Sequence, residues 1–288
     1  MPAQNSAHVV LPIYQVDAFT SQLFSGNPAA VVPLRKWLPA EVMKNIAAEN
    51  NLAETAFFVP LSRLRRRHNT PRFHLRWFTP QIEVPLCGHA TLASGWVVLN
   101  HIVPGAHRVV FESKSGPLNV ERRRLADDGE VLELDFPAQP ARRMPAALLR
   151  RVADALGETP IEIWQATKLM AVMKDARAVL RAKPDFAALK ALPGRGLIIT
   201  AKASAAHRPA DFVSRYFAPY AGINEDPVTG SAHCTLVPYW AERLGRTRLQ
   251  ARQVSARGGD LICELRGERV AIAGCVAPYL EGTVRVRH

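Results

Sequence analysis

Four side chains in this sequence could move a proton or attack a substrate: Glu54, Cys87, His89 and Asp226. Carboxylates and imidazoles are common general acids and bases, and a thiolate is a nucleophile. Glu54 lies between a helix predicted to end near Asn51 and the apolar run at 56–59, so we expect its carboxylate where a loop enters a sheet. Position alone also allows structural roles: a surface glutamate, a small buried cysteine, a packed histidine and an aspartate that makes a turn or caps a helix.

Two glycines mark the places where small anions could bind. Gly88 and Gly230 each follow a proline-bearing turn, each open a predicted amphipathic helix, and they lie 142 residues apart, close to half of the chain. The first N–H groups of a helix are unpaired and attract anions, and glycine allows a close approach. Ser231 follows the second glycine and could cap the helix or bind a ligand. The spacing predicts two related halves, although a glycine here is often only a turn residue.

Periodicity predicts an alternation of short strands and a few helices. A helix is predicted from Pro39 to about Asn50, because Met43, Ile46 and Ala47 share one face. The second helix is predicted to bury a stripe of Leu92, Trp96 and Leu99, and the last to end at a C-capping glycine, Gly245. Strands are predicted over residues 13–19, 29–32, 55–60, 73–78, 108–113, 118–122, 131–136 and 197–200.

Composition is that of an ordinary globular protein: 288 residues, 48% hydrophobic and 22% charged. The formal charge of +12 favours an anionic partner, yet no nucleic-acid-binding motif accompanies it, so the arginine-rich run at 63–67 is interpreted as a solvated loop. The four cysteines form no C-x-x-C pair, so a zinc knuckle is not expected. With no secretory leader or membrane span in the sequence, we expect a cytoplasmic protein that contacts no membrane and no nucleic acid.

Taken together, five short motifs resemble the PhzF-like family of phenazine-biosynthesis isomerases. They occupy residues 16–20, 26–29, 51–57, 78–91 and 225–232, in the order found in the family. The resemblance spans nearly the whole chain. Residues 163–168 and the arginine-rich run depart from the family pattern, and the former lie where loops of the second half could touch a substrate.

The resemblance implies an α+β fold of the diaminopimelate epimerase type. This fold has two pseudo-symmetric lobes, each a mixed sheet or barrel curled around a central helix. We therefore expect an N-terminal lobe of residues 1–125 plus 278–288, a C-terminal lobe of residues 126–277, and an active site in the cleft between them. The resemblance also implies a homodimer.

The same resemblance implies a chemistry. In the family, trans-2,3-dihydro-3-hydroxyanthranilate is isomerised without a cofactor by a glutamate that moves a proton. Glu54 matches that acid/base residue, His89 and Asp226 match residues that assist it, and Gly88, Gly230 and Ser231 match residues that surround the substrate. We expect a cofactor-independent and metal-independent isomerase of a small cyclic or amino-acid-like carboxylate.

Two alternatives stay open from the sequence. One is an amino-acid epimerase or racemase that uses Cys87. Related enzymes use two thiols, one on each side of the substrate. The position of the second thiol is Pro227 in this sequence, so a two-thiol mechanism is not expected. The other is a basic binding protein without catalytic activity, since an enzyme fold can be kept after its activity has been lost.

Overall fold

The computed structural model describes residues 8–61, 70–125 and 129–287. The arginine-rich run at 63–67 and most of the turn at 126–130 lie outside these residues. Among the described residues, no helix is both long and apolar enough to cross a membrane.

The chain forms two compact units. Unit 1 comprises Met1–Leu23, Pro28–Leu134 and Cys275–His288, and unit 2 comprises Phe24–Asn27 and Asp135–Gly274.

Strands make up most of the regular structure. They are β1 (His8–Ala18), β2 (Asn27–Pro33), β3 (Glu54–Pro60), β4 (Arg72–Phe78), β5 (Glu83–Val84), β6 (Arg108–Ser113), β7 (Gly116–Leu125), β8 (Gly129–Pro137), β9 (Arg142–Arg143), β10 (Glu162–Gln165), β11 (Leu169–Val172), β12 (Leu197–Lys202), β13 (Phe212–Ala218), β14 (Ile223–Asp226), β15 (Arg248–Gln253), β16 (Gly259–Arg266), β17 (Arg269–Gly274) and β18 (Val276–Arg287).

The helices are fewer. They are α1 (Ala40–Asn50), α2 (Gly88–Val97), α3 (Ala147–Leu156), α4 (Ala176–Arg181), α5 (Phe186–Lys190) and α6 (Gly230–Leu244). A π-helical turn, Val98–Ile102, extends α2.

Unit 1 is built on a mixed sheet. β2 runs parallel to β3, β3 antiparallel to β4, and β4 parallel to β6. The short strand β5 returns along β4 before α2 makes the crossover to β6. β7 runs antiparallel to β6, and β8 runs antiparallel to β7. The last strand, β18, pairs antiparallel with β1 from His8 to Ala18.

Unit 2 repeats this order of strand pairings. β11 runs parallel to β12, β12 antiparallel to β13, and β13 parallel to β15. The short strand β14 returns along β13, and α6 then makes the crossover to β15. Antiparallel β16 and β17 follow, as β7 and β8 do in unit 1. The half-chain repeat predicted from the two glycines is therefore present in the topology, and the α+β fold class with two pseudo-symmetric halves is confirmed.

Each unit has its own apolar core. In unit 1, Met43, Ile46 and Ala47 of α1 pack with Phe57 and Phe78 of the sheet. In unit 2 the helices α3, α4 and α5 cover the sheet, and Val152, Val179 and Phe217 are fully buried there. The apolar face predicted for α1 is thus confirmed.

The helix starting at Gly88 is confirmed, but its predicted single stripe is wrong. Leu92 and Leu99 are buried, whereas Trp96 is half-buried, and every residue from 88 to 95 is buried. The helix is enclosed on all sides because its first eight residues are mostly small, which lets strands approach it closely. Its hydroxyls bond back to the preceding turn: Ser94 Oγ donates to the Ala90 carbonyl at 2.7 Å.

Helix ends follow their local signals. Asn51 caps α1 and Gly245 caps α6, both in the left-handed conformation, as predicted. Glu54 is the first residue of β3, where a loop enters the sheet, and it is 9% exposed; the strand begins one residue earlier than the predicted range of 55–60.

Candidate active site

In unit 1, Glu54, Cys87 and His89 come together at the start of the central helix α2. β3 supplies Glu54 at its first position, Cys87 is the N-cap of α2, and His89 is the second residue of that helix. Glu54 Oε2 lies 3.3 Å from His89 Nε2. The side chains are 11% and 4% exposed, so this pair is nearly withdrawn from water. At this distance the carboxylate and the imidazole are in direct contact.

His89 is held as a neutral imidazole. Burial lowers its pKa to about 3, and a hydrogen bond to the backbone of Pro28 opposes this shift only in part. A neutral ring has one nitrogen that can accept a proton and one that can donate. The neighbour of Glu54 is therefore an uncharged imidazole at neutral pH and not a cation.

Cys87 completes the group. Its Sγ lies 3.5 Å from His89 Nδ1, and the residue is 6% exposed. Carboxylate, thiolate and imidazole are also the donors that Zn²⁺ prefers, and ligand atoms of these three residues lie within 4.8 Å of one another. The group could thus hold a divalent metal ion as well as transfer a proton.

In unit 2, Asp226 is the centre of a buried hydrogen-bond network. Asn27 Nδ2 donates to Asp226 Oδ1 at 2.7 Å, and Thr229 Oγ1 donates to Oδ2 at 2.5 Å. Burial raises the pKa of Asp226 to about 6, while these two hydrogen bonds and the charge of Lys168 pull it down. Asp226 can therefore change its protonation state near neutral pH.

Gln253 and His233 fix the turn that carries Asp226. The Gln253 amide accepts from the Thr229 N–H at 2.9 Å and donates to the Asp226 carbonyl at 2.6 Å. His233 Nδ1 donates to the Thr229 carbonyl at 2.8 Å. Burial lowers the pKa of His233 to about 4, so this ring is a neutral structural donor.

Helix α6 begins directly after this turn. Its N-cap, Thr229, makes no side-chain cap, because its hydroxyl donates to Asp226. Gly230 is buried and Ser231 is half-buried. In unit 1, Gly88 opens α2 in the same way, after an N-cap that also makes no side-chain cap. Both central helices thus begin with backbone N–H groups that lack intrahelical acceptors.

The sequence reasoning missed four polar residues of the unit 2 network: Asn27, Lys168, Thr229 and Gln253. Asn27 and Thr229 stand inside motifs that the resemblance rests on, so the motifs themselves were a signal. Nothing local distinguishes Gln253 from a surface residue of a strand.

The sequence model of the family described as "Phenazine biosynthesis-like protein" matches residues 16–282. An uncharacterized isomerase of Pseudomonas aeruginosa is 47% identical over 276 residues, which is 96% of this chain and 99% of the relative. The crystal structure of a phenazine biosynthesis protein of the PhzF family from Enterococcus faecalis is similar to this structure, with a TM-score of 0.85. The two sequences are 45% identical, and the match covers 96% of this chain and 99% of that chain.

A more distant structure shares the fold alone. The hydroxyproline epimerase from Agrobacterium vitis, solved with bound trans-4-hydroxy-L-proline, is similar with a TM-score of 0.60 at 9% identity, covering 100% of this chain and 95% of that one. The fold is therefore of the epimerase type. The match to the family model and the identity to its members, over nearly the full length of each, show that this chain belongs to the phenazine biosynthesis-like, or PhzF, protein family.

Proposed function

We propose that this protein is a cofactor-independent isomerase that moves a proton on a small cyclic or amino-acid-like carboxylate, with Glu54 as the general acid and base. Its class as an isomerase rests on the family and on the isomerase names that its relatives bear. The observation that carries the choice of Glu54 is its burial 3.3 Å from a neutral imidazole.

In this proposal Glu54 takes a proton from one carbon of the substrate and returns it to another. A carboxylate that is nearly withdrawn from water is a stronger base than one in solution, because water no longer stabilises its charge. His89 stays neutral throughout and contacts Glu54, so only Glu54 changes its protonation state. No external reductant or oxidant enters, since an isomerisation only relocates a proton and an electron pair.

We propose an assisting role for Asp226 in the same reaction, with Gly88, Gly230 and Ser231 as substrate-binding residues. This part rests on the motifs and on two observations. Asp226 has a pKa raised to about 6, and the two glycines open helices whose first N–H groups can receive a carboxylate.

The experiment is solvent deuterium exchange, read by mass spectrometry. Dihydro-hydroxyanthranilate-like compounds and amino acids are incubated in D₂O with wild type, Glu54→Gln and the control Glu49→Gln, which changes an exposed glutamate of α1. We expect exchange into one compound class with wild type and Glu49→Gln. With Glu54→Gln the rate should fall by about 10²-fold or more, the usual contribution of a general base.

Full exchange activity in Glu54→Gln would contradict the assignment of the base. No exchange into any compound with the folded wild-type protein would contradict the proposed substrate class.

Thiol chemistry at Cys87 is the second candidate, because its Sγ contacts the His89 ring. An epimerase of this kind would remove the α-proton with the thiolate. Alkylation with iodoacetamide separates the two: loss of exchange that substrate prevents favours Cys87. Full activity of Cys87→Ala favours Glu54.

A further inference from the structure

The Cys87 thiol takes no part in the proposed proton transfer, yet it lies in the same group as Glu54 and His89. Ligand atoms of these residues all lie within 4.8 Å of one another. Among the described residues, this is the one place where three or more histidine, cysteine, aspartate or glutamate side chains come so close together. A carboxylate, a thiol and an imidazole around one point are a donor set that binds a transition-metal ion.

The distances between the donor atoms fit a single tetrahedral ion. Glu54 Oε2 lies 3.3 Å from His89 Nε2, and Cys87 Sγ lies 4.0 Å from the same nitrogen. Two ligand atoms bound to one tetrahedral Zn²⁺ at about 2.0–2.3 Å are about 3.3–3.6 Å apart. The carboxylate and the imidazole therefore already have the required spacing, and the sulfur has to move by only a few tenths of an ångström.

The charges of the group also match a divalent ion. A glutamate carboxylate and a cysteine thiolate carry two negative charges, so the complex with Zn²⁺ and a neutral imidazole has no net charge. This matters because all three side chains are buried, where an uncompensated charge is costly. On binding, the thiol releases its proton to solvent and Sγ donates a lone pair to the ion, with no transfer of electrons between them. Cys87 is the N-cap of α2, where the helix dipole favours the thiolate.

The donor types select zinc over the abundant hard cations. Thiolate and imidazole are ordinary ligands of Zn²⁺, whereas Mg²⁺ and Ca²⁺ are bound through oxygen. The His89 ring also has a hydrogen bond to the backbone of Pro28, the kind of contact that orients a metal-binding histidine.

An ion in this position would block the proposed base. Glu54 Oε2 would donate a lone pair to Zn²⁺ and could not take a proton from a substrate carbon at the same time. The same three side chains therefore support proton transfer when they are free of metal and oppose it when they bind zinc.

We propose that Glu54, Cys87 and His89 form an inhibitory zinc site, in which the carboxylate, the thiolate and the imidazole bind one Zn²⁺. The binding follows from the donor geometry alone, whereas the inhibition rests on the proposed function, because it requires Glu54 to be the base. Cys87 is then the residue that makes the protein sensitive to zinc.

The first experiment uses Co²⁺ as a spectroscopic probe of the whole chain, followed by displacement with Zn²⁺. A thiolate bound to Co²⁺ gives a charge-transfer absorption that carboxylate and imidazole ligands do not give. The proteins are wild type, Cys87→Ser, Cys87→Ala and the control Cys275→Ser, which changes a half-buried cysteine outside the group. Mg²⁺ is the comparison ion.

We expect the absorption to saturate at one Co²⁺ per chain in wild type and in Cys275→Ser, and to disappear on addition of Zn²⁺ but not of Mg²⁺. It should be absent from both Cys87 variants. Their apparent Kd for Zn²⁺ should weaken by at least about tenfold, the smallest loss seen when even a group behind a metal ligand is removed. Near-ultraviolet circular dichroism checks that both variants are folded.

The second experiment measures solvent deuterium exchange by wild type as Zn²⁺ is added, and again after an excess of EDTA. Exchange should fall to half at the zinc concentration that half-displaces Co²⁺, and EDTA should restore it. Exchange that is unchanged or raised when the site is saturated with zinc would overturn the inhibition.

The absorption experiment needs no turnover, so it separates the zinc site from the proposed function. Absorption that persists in Cys87→Ser, or the lack of saturable binding in wild type, would mean an adventitious ion only and would overturn the site. Cys87-dependent binding together with full activity of Glu54→Gln would leave the zinc site standing and remove the proposed base. Loss of activity in Glu54→Gln without Cys87-dependent binding would remove only the zinc site.

Discussion

At the scale of single residues, the distinctive feature is a set of buried ionisable side chains whose pKa values are shifted by burial. His89 and His233 have pKa values lowered to about 3 and about 4, and the pKa of Asp226 is raised to about 6, in each case mainly by burial. Burial removes the water that would stabilise a charge, so it shifts each pKa in the direction that favours the neutral form. Such groups link stability to pH.

The first prediction concerns acid stability. The unfolded chain protonates histidine at its ordinary pKa of about 6.5, whereas folded His233 does so only at about 4. Its contribution to stability is therefore complete above pH 6.5 and is lost as the pH falls toward 4, at about 1.4 kcal/mol per pH unit. His233→Gln should remove this slope from the free energy of unfolding, measured in urea at pH 7.5, 6 and 5.

His107→Gln, which changes an exposed histidine, is the matched control and should parallel wild type. Asp226 acts in the opposite direction, since a raised carboxyl pKa adds stability as the pH falls through about 6. The free energies of unfolding of the two variants and wild type are therefore compared with one another at each pH. Parallel curves for His233→Gln and wild type would contradict the prediction.

The residue scale also shows where sequence reasoning stops. Glu54, Cys87 and His89 were chosen from the sequence, and the fold does bring them together. The burial of Lys168 was not predicted, because a lysine beside a turn has the local pattern of an exposed residue. Its environment depends on Tyr216 and Asp226, which come from strands about fifty residues later in the chain.

At the scale of elements, the central helices depend on close packing. Gly95 of α2 faces Val120 of β7, and a β-carbon at that glycine would lie 2.4 Å from Val120 Cγ1. Valine has few rotamers to move into, so the strand itself would have to shift. The helix can be enclosed by the sheet only because this position has no side chain.

The second prediction follows from that contact. Gly95→Ala should lower the free energy of unfolding by about 1–3 kcal/mol, the usual cost of overpacking, despite the better helix propensity of alanine. Gly282→Ala is the control, because the nearest atom to its new β-carbon would be 3.7 Å away. Urea unfolding should show a change within about 0.5 kcal/mol for the control. Equal stability of both variants would show that α2 can move.

Local signals account for much of the element-scale agreement. Glycine in the left-handed conformation at 245 and asparagine at 51 end their helices as their chemistry predicts. The enclosure of α2 could not be predicted, because it depends on strands that are distant in sequence. The π-helical turn Val98–Ile102 likewise carries no local sequence signal.

At the scale of the whole molecule, the net charge of +12 comes with ion pairs spread over many elements. Many arginines are already paired with carboxylates. Examples are Arg76 with Glu83 at 2.9 Å, Arg215 with Glu225 at 2.7 Å, Arg243 with Glu162 at 2.7 Å and Arg269 with Asp135 at 2.8 Å. Such pairs are scattered over many elements and do not form a groove for a phosphate backbone.

The third prediction is therefore weak binding to nucleic acid. An electrophoretic shift with duplex DNA should be absent at about 0.15 M salt, where exposed charges are strongly screened. Any shift at low salt should disappear steeply as salt is added. A complex that persists at this ionic strength would favour the alternative of a basic binding protein.

The fourth prediction concerns metal. Because the proposed proton transfer uses side chains and no metal ion, dialysis against EDTA should leave solvent exchange unchanged within about twofold. The group formed by Glu54, His89 and Cys87 has the donor types of a zinc site, so the experiment is a direct test. Activity lost on dialysis and restored by Zn²⁺ would contradict a metal-independent reaction.

The pairing of the first strand with the last has a consequence for biosynthesis. β1 is the first described strand to be synthesised, and its partner β18, Val276–Arg287, is the last of the described strands. Most of the strand pairings of unit 2 lie within one continuous stretch of chain, so that unit can form while synthesis continues. We therefore expect unit 2 to complete its pairings during synthesis before unit 1 does, because β1 pairs early with β2 but gains β18 only later.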